Sequence, residues 1–316
     1  MIPNILHQTW KSKTDIPEKF RHWRQSFFDL NPDLDYRFYD DADNRALLES
    51  CMPQLLDLYD SFPSEIFRVD MIRAVYLFKF GGFYADMDFQ CLAPLAKMAR
   101  SDIAIVLGRM GTIATFPHSI PNALMGSEPG EGFWLGYLAE IERTWHRLRD
   151  REGIEKRPEY VTGPVVLKNC VGRYRLQTNR FRKDVLDFAR EKRIPLDKEI
   201  PFGRMAVAPP HILYPISWKD QVHRWFLRMA SEENLLYSIE EARKMFPHSV
   251  AVTYWSASWQ SKNVCQQLEL HPDCRSTAIS DITVDVSRAG GLLDLRYKVT
   301  GRIDTLALSP SGEQQR

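Results

Sequence analysis

The sequence predicts an α/β protein. Over the first fifty residues, apolar segments of strand length alternate with segments of helical period. Residues 64–89 repeat that alternation as a long helix, a Gly-Gly stop and a short apolar strand. A chain of 316 residues, 44% hydrophobic and 26% charged, is long enough for one large domain with a real core and a smaller unit beside it.

Ile2 to Trp10 reads as a strand and Lys11 to Pro17 as a polar loop. Glu18 to Leu30 carries Phe20, Trp23, Phe27 and Phe28 at helical spacing, and Asn31-Pro32-Asp33 breaks it. Leu34 to Tyr39 alternates as a strand does, and the acidic run Asp40 to Asp43 caps a helix over Asn44 to Cys51. The strongest helix is Ser64 to Phe80, with Ser64 as its N-cap and Gly81-Gly82 as its end. Phe83 to Phe89 follows as a buried strand and Ile103 to Leu107 as another. Phe133 to Arg149, Val165 to Gly172, Phe181 to Glu191 and Ser238 to Met245 read as helices, with a turn at Tyr160 to Pro164. Ile200 to Trp218 is proline-punctuated loop and Val250 to Tyr254 a strand. Alternation over Asp281 to Val286, Leu293 to Val299 and Ile303 to Leu308, with glycines between, predicts a small β meander at the end, the alternative being a polar tail. The expected division is 1–270 and 271–316.

Net charge is +1, which argues against a nucleic-acid binder driven by phosphate neutralisation. Arg143 to Arg157 is arginine-rich, but interleaved Glu and Asp make it a solvated helix face. Five cysteines at wide spacing, with no Cys-x-x-Cys pair, point to free thiols in a reducing compartment rather than structural zinc. No apolar run approaches the ~20 residues that span a bilayer, and the N-terminus lacks the pattern of a signal peptide. The expectation is a cytoplasmic protein, or one held peripherally at the inner face of a membrane. Aromatic and basic residues between Tyr214 and Arg228 either meet an anionic membrane or pack in the core.

Asp86 and Asp88 stand as Asp-x-Asp at the end of the Gly-Gly-led strand. Alternation on a strand turns both side chains to one face, with Cα atoms ~6.6 Å apart at ~3.3 Å per residue. That spacing suits one carboxylate on a hard divalent cation and the other on a sugar or ribose. Asp70 and Arg73 share a helix face at i and i+3, and the two glycines fold that face back beside Tyr84, Asp86 and Asp88. Taken singly, Asp-x-Asp recurs by chance and Asp70–Arg73 is a simple helix ion pair. The fixed combination is far more specific.

The segment resembles glycosyltransferase family 32, which carries an Asp-x-Asp sugar-binding region and includes fungal α-mannosyltransferases and bacterial capsule enzymes; the glucosylating domain of the large clostridial toxins has a similar arrangement. The resemblance rests on Ile5-Leu6-His7-Gln8-Thr9-Trp10, Arg68, Asp70, Arg73, Gly81-Gly82, Tyr84, Asp86 and Asp88. Weaker matches are Asn122 to Ser127, Thr162-Gly163-Pro164 and Ser258-Trp259. It implies a GT-A fold with a mixed central sheet and helical insertions, and a metal-dependent, retaining transfer from a nucleotide diphosphate sugar to a hydroxyl of a glycan, polysaccharide or glycolipid. A UDP-sugar is favoured, with GDP-mannose also compatible.

The resemblance further implies site roles. Trp10, with Thr9 beside it, stacks on the donor base. Asp70 and Arg73 hold sugar hydroxyls and the diphosphate, and Tyr84 contacts the diphosphate or ribose side. Asp86 binds ribose and sugar and is the second candidate metal ligand, Asp88 binds Mn2+ or Mg2+ directly, and Asn122 touches the donor sugar. Ser258 and Trp259 close over the diphosphate. The family often has His-x-x-x-x-Ser-Trp near the end, whereas this chain has Thr253, leaving Ser256, Ser258 or water to complete the cation shell. His7 reads as structural. An aspartyl-phosphate phosphatase also uses Asp-x-Asp but needs Thr or Val where Gln90 stands. The remaining alternative is a catalytically weak sugar- or nucleotide-binding protein on the same fold.

Overall fold

A computed structural model describes residues 1–154, 157–196, 199–217 and 236–256, and the backbone of 282–289 and 292–299. The chain divides into two units, Met1–Ser256 and Ala257–Arg316. The expected boundary at 270 lies outside the described residues.

The first unit opens as the sequence predicts. Strand β1 (Ile5–Thr9) is followed by helix α1 (Glu18–Leu30), β2 (Asp35–Tyr39) and α2 (Asp41–Cys51). Helix α2 begins earlier than expected because Asp40 and Asp43 form a reciprocal capping box, each carboxylate accepting from the other's backbone N–H. A short helix α3 (Leu56–Asp60), unmarked by periodicity, precedes α4 (Glu65–Phe80). Strands β3 (Gly82–Ala85), β4 (Phe89–Cys91), β5 (Ile105–Gly108) and β6 (Leu124–Ser127) lead to α5 (Gly132–Leu148). Three helices follow, α6 (Pro158–Val161) where a turn is expected, α7 (Pro164–Leu176) and α8 (Thr178–Glu191). The proline-rich region, read as loop, holds strand β7 (Met205–Ala208) and the short helix α9 (Pro210–Leu213). The helix Ile239–Met245, capped by Ser238, and strand β8 (Ala251–Thr253) complete the unit.

The main sheet runs β2–β1–β3–β6–β5–β7. β1 pairs parallel with both β2 and β3; β6 is antiparallel to β3 and β5; β5 and β7 are parallel. A mixed central sheet with helices is thus the observed α/β class. β2 and β3 flank β1 on opposite sides, so the parallel order reverses at β1. In open α/β sheets, ligands bind at such a switch point, outside the carboxyl ends of the strands. β4 and β8 form a separate antiparallel pair, with Phe89 opposite Thr253.

The largest apolar cluster joins α4, α5, α7 and α8 to the sheet through residues such as Met71, Val75, Trp134, Leu138, Cys170 and Phe181, all buried. Cys51, Cys91 and Cys170 are free thiols. In the second unit, β9 (Ile282–Ala289) and β10 (Leu292–Val299) form an antiparallel hairpin with Ile282 opposite Val299. The third strand expected over 303–308 lies outside the described residues.

Candidate active site

Helix α4 is buried on most of its circumference, so its two polar residues on the sheet side, Asp70 and Arg73, are inside the protein. The chain then reverses through Gly81 and Gly82, at φ of 65° and 86°. Positive φ there favours glycine, and a Cβ on Gly82 would lie 2.6 Å from the Ile5 carbonyl oxygen. This close approach lets β3 register against β1, with His7 opposite Tyr84. β3 therefore delivers Asp86 to the carboxyl edge of the sheet, beside the end of β1.

One expectation is corrected here. Asp86 and Asp88 do not alternate on a continuous strand: β3 ends at Ala85, residues 87–88 form a turn, and β4 begins at Phe89. The Asp86 N–H donates to the Ala123 carbonyl at 2.8 Å, and the Phe89 N–H closes the turn onto the Asp86 carbonyl at 3.2 Å. The chain leaves the main sheet because Phe89 to Cys91 pair with β8 instead. Each carboxylate consequently has its own set of partners.

Arg73 links three polar groups. Its guanidinium lies 3.3 Å from the Asp70 carboxylate and 3.2 Å from that of Asp86, donates to the Asn122 carbonyl at 3.0 Å, and sits 4.7 Å from the centre of the Tyr84 ring. Its Nε is buried without a partner among the described residues. Asp70 is further held by the Asn122 amide at 2.8 Å and the Thr162 hydroxyl at 3.2 Å. Burial pushes the Asp70 carboxyl up, while Arg73 and these hydrogen bonds hold it down. The Tyr84 hydroxyl donates to Asp86 at 2.7 Å. Burial pushes the Asp86 carboxyl up to about 7; Arg73 opposes the rise and the neighbouring Asp88 charge adds to it. The Asp86 side chain remains 31% exposed, which leaves it open to a ligand.

Asp88 faces the segment after β8. It accepts from the Ser256 N–H at 2.8 Å, the Ser256 hydroxyl at 3.0 Å and the Thr253 hydroxyl at 3.3 Å. Burial raises its proton affinity and the Ser256 hydrogen bonds lower it. Two neighbouring half-buried carboxylates with hydroxyls beside them form an all-oxygen donor set, which suits a hard divalent cation. The repulsion between Asp86 and Asp88 is the charge such a cation would neutralise. Among the described residues no group of three or more His, Cys, Asp or Glu side chains converges as a metal site, so the fit rests on the carboxylate pair and hydroxyl or water oxygens.

The other expected residues are placed as follows. Thr9 and Trp10 end β1 at the same edge, but the Thr9 hydroxyl is engaged by Asn44 at 2.9 Å and the Tyr39 carbonyl at 3.0 Å. Trp10 is half-buried against Phe20, its indole N–H donating to the Asp15 carbonyl at 2.8 Å. Tyr84 and Asn122 are buried, and they meet Asp86 and Asp70 respectively. Ser258 and Trp259 lie outside the described residues.

Three contributors carried no assigned role in the sequence reading. Gln8 donates to the Asp86 carbonyl at 3.2 Å. Thr162 holds Asp70, and Tyr137 on α5 donates to the Thr162 carbonyl behind it. The only sequence signal for Thr162 is its place before Gly163-Pro164. His7 is structural: its Nε2–H donates to the Gly81 carbonyl at 2.9 Å, and burial lowers its pKa to about 4.

Residues 17–104 match the family described as "Glycosyltransferase sugar-binding region containing DXD motif". The chain thus carries the sugar-binding region that its sequence resembles. It is 34% identical over 142 residues to inositol phosphoceramide mannosyltransferase 3 of Schizosaccharomyces pombe, covering 45% of this chain and 38% of that protein. It is 33% identical over 152 residues to the mannosyl phosphorylinositol ceramide synthase CSH1 of Saccharomyces cerevisiae, covering 46% and 38%. Among solved structures it resembles the PaToxG glycosyltransferase, at 18% identity and a TM-score of 0.43 over 63% of this chain and 81% of that one. The chain spans about two-fifths of the length of the curated relatives it matches.

These relatives overturn the cytoplasmic expectation. Their names specify mannosyl transfer to inositol phosphoceramide, a membrane lipid, so a cytosolic default has no support. Among the described residues no helix is long and apolar enough to cross a membrane.

Proposed function

We propose that this chain, as a carrier of the DXD sugar-binding region, is a glycosyltransferase that moves a hexose from a nucleotide diphosphate sugar to a hydroxyl of a glycolipid or glycan. The observation that supports it most is the junction at the switch point of the sheet. There Arg73 ties Asp70 to Asp86 while Asp88 stands beside them with its own hydroxyl partners. The kinship to mannosyltransferases of inositol phosphoceramide favours mannose from GDP-mannose and an acceptor of the phosphoinositol-lipid class. A UDP-sugar remains the other donor to test.

In this reading Asp86 takes ribose or sugar hydroxyls through its exposed edge. Asp88 would hold Mn2+ or Mg2+, and the cation would supply charge neutralisation for a departing diphosphate. The terminal nitrogens of Arg73 are engaged with Asp70, Asp86 and Asn122, so its work is to fix those groups rather than to reach freely for phosphate. Trp10 offers a platform for the base, and closing over the diphosphate is the role the resemblance gives Ser258 and Trp259. Retention of configuration is what the resemblance implies; among the described residues no carboxylate stands out as a covalent nucleophile, so a retaining transfer would have the acceptor hydroxyl attack on the leaving-group face.

Asp88→Asn is the direct test. It is expected to reduce sugar transfer or donor hydrolysis by about 100-fold or more and to abolish the protection that Mn2+ with a nucleotide sugar gives against heat unfolding. Transfer at the wild-type rate by this variant would overturn the assignment. The second reading, a catalytically weak binding protein, draws on Thr253 standing where the family that the sequence resembles often has a histidine. It predicts the same protection with no hydrolysis of any donor in a panel of nucleotide sugars.

A further inference from the structure

A second polar feature lies at the opposite end of the β4·β8 pair from Asp88. A surface cavity of about 570 Å3 opens there, with Lys97, His211, Arg243 and His248 in its lining and no carboxylate among them. From Asp88 to Leu92, the first residue of this lining, the chain runs ~13 Å at ~3.3 Å per residue. The cavity is therefore a separate place and not an annex of the Asp-x-Asp turn.

Its frame is built by hydrogen bonds between three chain segments. Leu92 and Ala93 both donate from their backbone N–H groups to the Val250 carbonyl, at 2.8 and 3.1 Å, and the Val250 N–H donates to the Ile212 carbonyl at 2.8 Å. The Ser249 hydroxyl donates to the His211 carbonyl at 2.6 Å, and Arg243 Nε donates to the Leu92 carbonyl at 2.6 Å. The walls are thus set before any ligand arrives. The basic heads are not engaged in the same way. Among the described residues no side-chain hydrogen bond or ion pair holds Lys97, His211 or His248; the two imidazoles meet only each other, with centroids 6.4 Å apart. Arg243 uses only Nε on the frame and keeps its terminal nitrogens. The lining also holds the apolar residues Pro94, Ile212 and Pro247.

We propose that this cavity binds a phosphate ester, with the phosphate among Lys97, Arg243 and the two histidines and an apolar body along Pro94, Ile212 and Pro247. Two cationic side chains, Lys97 and Arg243, with two imidazoles and no carboxylate in the same lining, select a compact anion. The apolar lining selects an organic ester over inorganic phosphate. The inference does not depend on the transfer reading, because no residue of the Asp-x-Asp site takes part.

A soluble ester and a lipid headgroup share this chemistry, and two titrations of the full chain separate them. One uses hexyl phosphate against hexyl glucoside as the uncharged control. The other uses phosphatidylcholine vesicles with and without phosphatidylinositol. The variant is the double substitution Lys97→Glu/His248→Glu, which touches no hydrogen bond of the frame and is expected to unfold at the wild-type temperature. Hexyl phosphate bound in preference to hexyl glucoside, and weakened by about tenfold or more in the variant, supports the site with a soluble ester sufficient. Binding only to phosphatidylinositol-containing vesicles, lost in the variant, supports it with a lipid as the source. Equal binding by variant and wild type, or no preference for the phosphate in either titration, overturns it.

Discussion

Arg73 and His7 show how single residues prepare this site. Arg73 is buried and linked to Asp70 and Asp86, so its charge sets where those carboxylates stand. His7 is buried and neutral, donating to the Gly81 carbonyl at the point where the chain reverses toward Asp86. Its folded pKa of about 4 lies below the ordinary 6.5, so the unfolded chain takes up a proton that the folded protein refuses between those values. Stability due to His7 is complete above pH 6.5 and falls, by about 3 kcal/mol in total, as pH drops from 6.5 to 4. Asp86 has the opposite sign: held up at about 7 from 3.8, it favours the folded state when protonated and loses that advantage as pH rises from 3.8 to 7. The two slopes oppose each other in the wild type. His7→Gln should therefore lower stability least near pH 4 and most above pH 6.5, read from denaturant unfolding across that range. Thr253→Val, which keeps shape but removes the hydroxyl on Asp88, should weaken Mn2+ protection several-fold and leave the metal-free unfolding temperature within a few degrees. Unchanged protection would remove Thr253 from the cation site.

Among the elements, the reversal between α4 and β3 decides most. Gly81-Gly82 was legible in the sequence as a helix stop, and the helix ends there. The closeness of β1 was not legible, because it depends on a strand more than seventy residues away in the chain. A Cβ on Gly82 would meet both the Ile5 carbonyl oxygen, at 2.6 Å, and the Ile5 Cβ, at 2.7 Å, on a backbone with positive φ. Gly82→Ala should cost about 2 kcal/mol or more, lowering the unfolding temperature by on the order of 5 °C. A variant as stable as wild type would mean that β1 and β3 pack less tightly than described. The Asp86–Asp88 turn teaches a complementary lesson. Period-two alternation is the same in a strand and in a strand interrupted by a tight turn, so sequence alone placed both carboxylates on one face. The ladder ends because Phe89 to Cys91 find partners in β8, and those partners lie at the other end of the domain sequence.

At the scale of the whole molecule, the core and the Asp-x-Asp carboxylates belong to Met1–Ser256, while Ser258 and Trp259 belong to the second unit. A chain ending at Ser256 should fold and unfold cooperatively near the full-length temperature, yet lose sugar transfer if Trp259 closes over the donor. Circular dichroism melting and a transfer assay on the same preparation separate the two effects. The strand–helix alternation, the long helix before Gly81-Gly82 and the Asp-x-Asp kinship were readable locally, because period, capping and motif spacing are properties of neighbouring residues. β6 and β7 were not read as strands: four-residue runs beside loops and prolines look like loop until they pair. Local spacing along the chain points to the class of fold and to the kind of chemistry proposed, since Asp70, Arg73, Asp86 and Asp88 sit within one short stretch. Long-range packing sets the rest: Arg73 faces inward to both Asp70 and Asp86, Thr162 holds Asp70, and Thr253 and Ser256 hold Asp88. Those contacts join residues far apart in the chain, and burial fixes them by requiring each charge to find a partner.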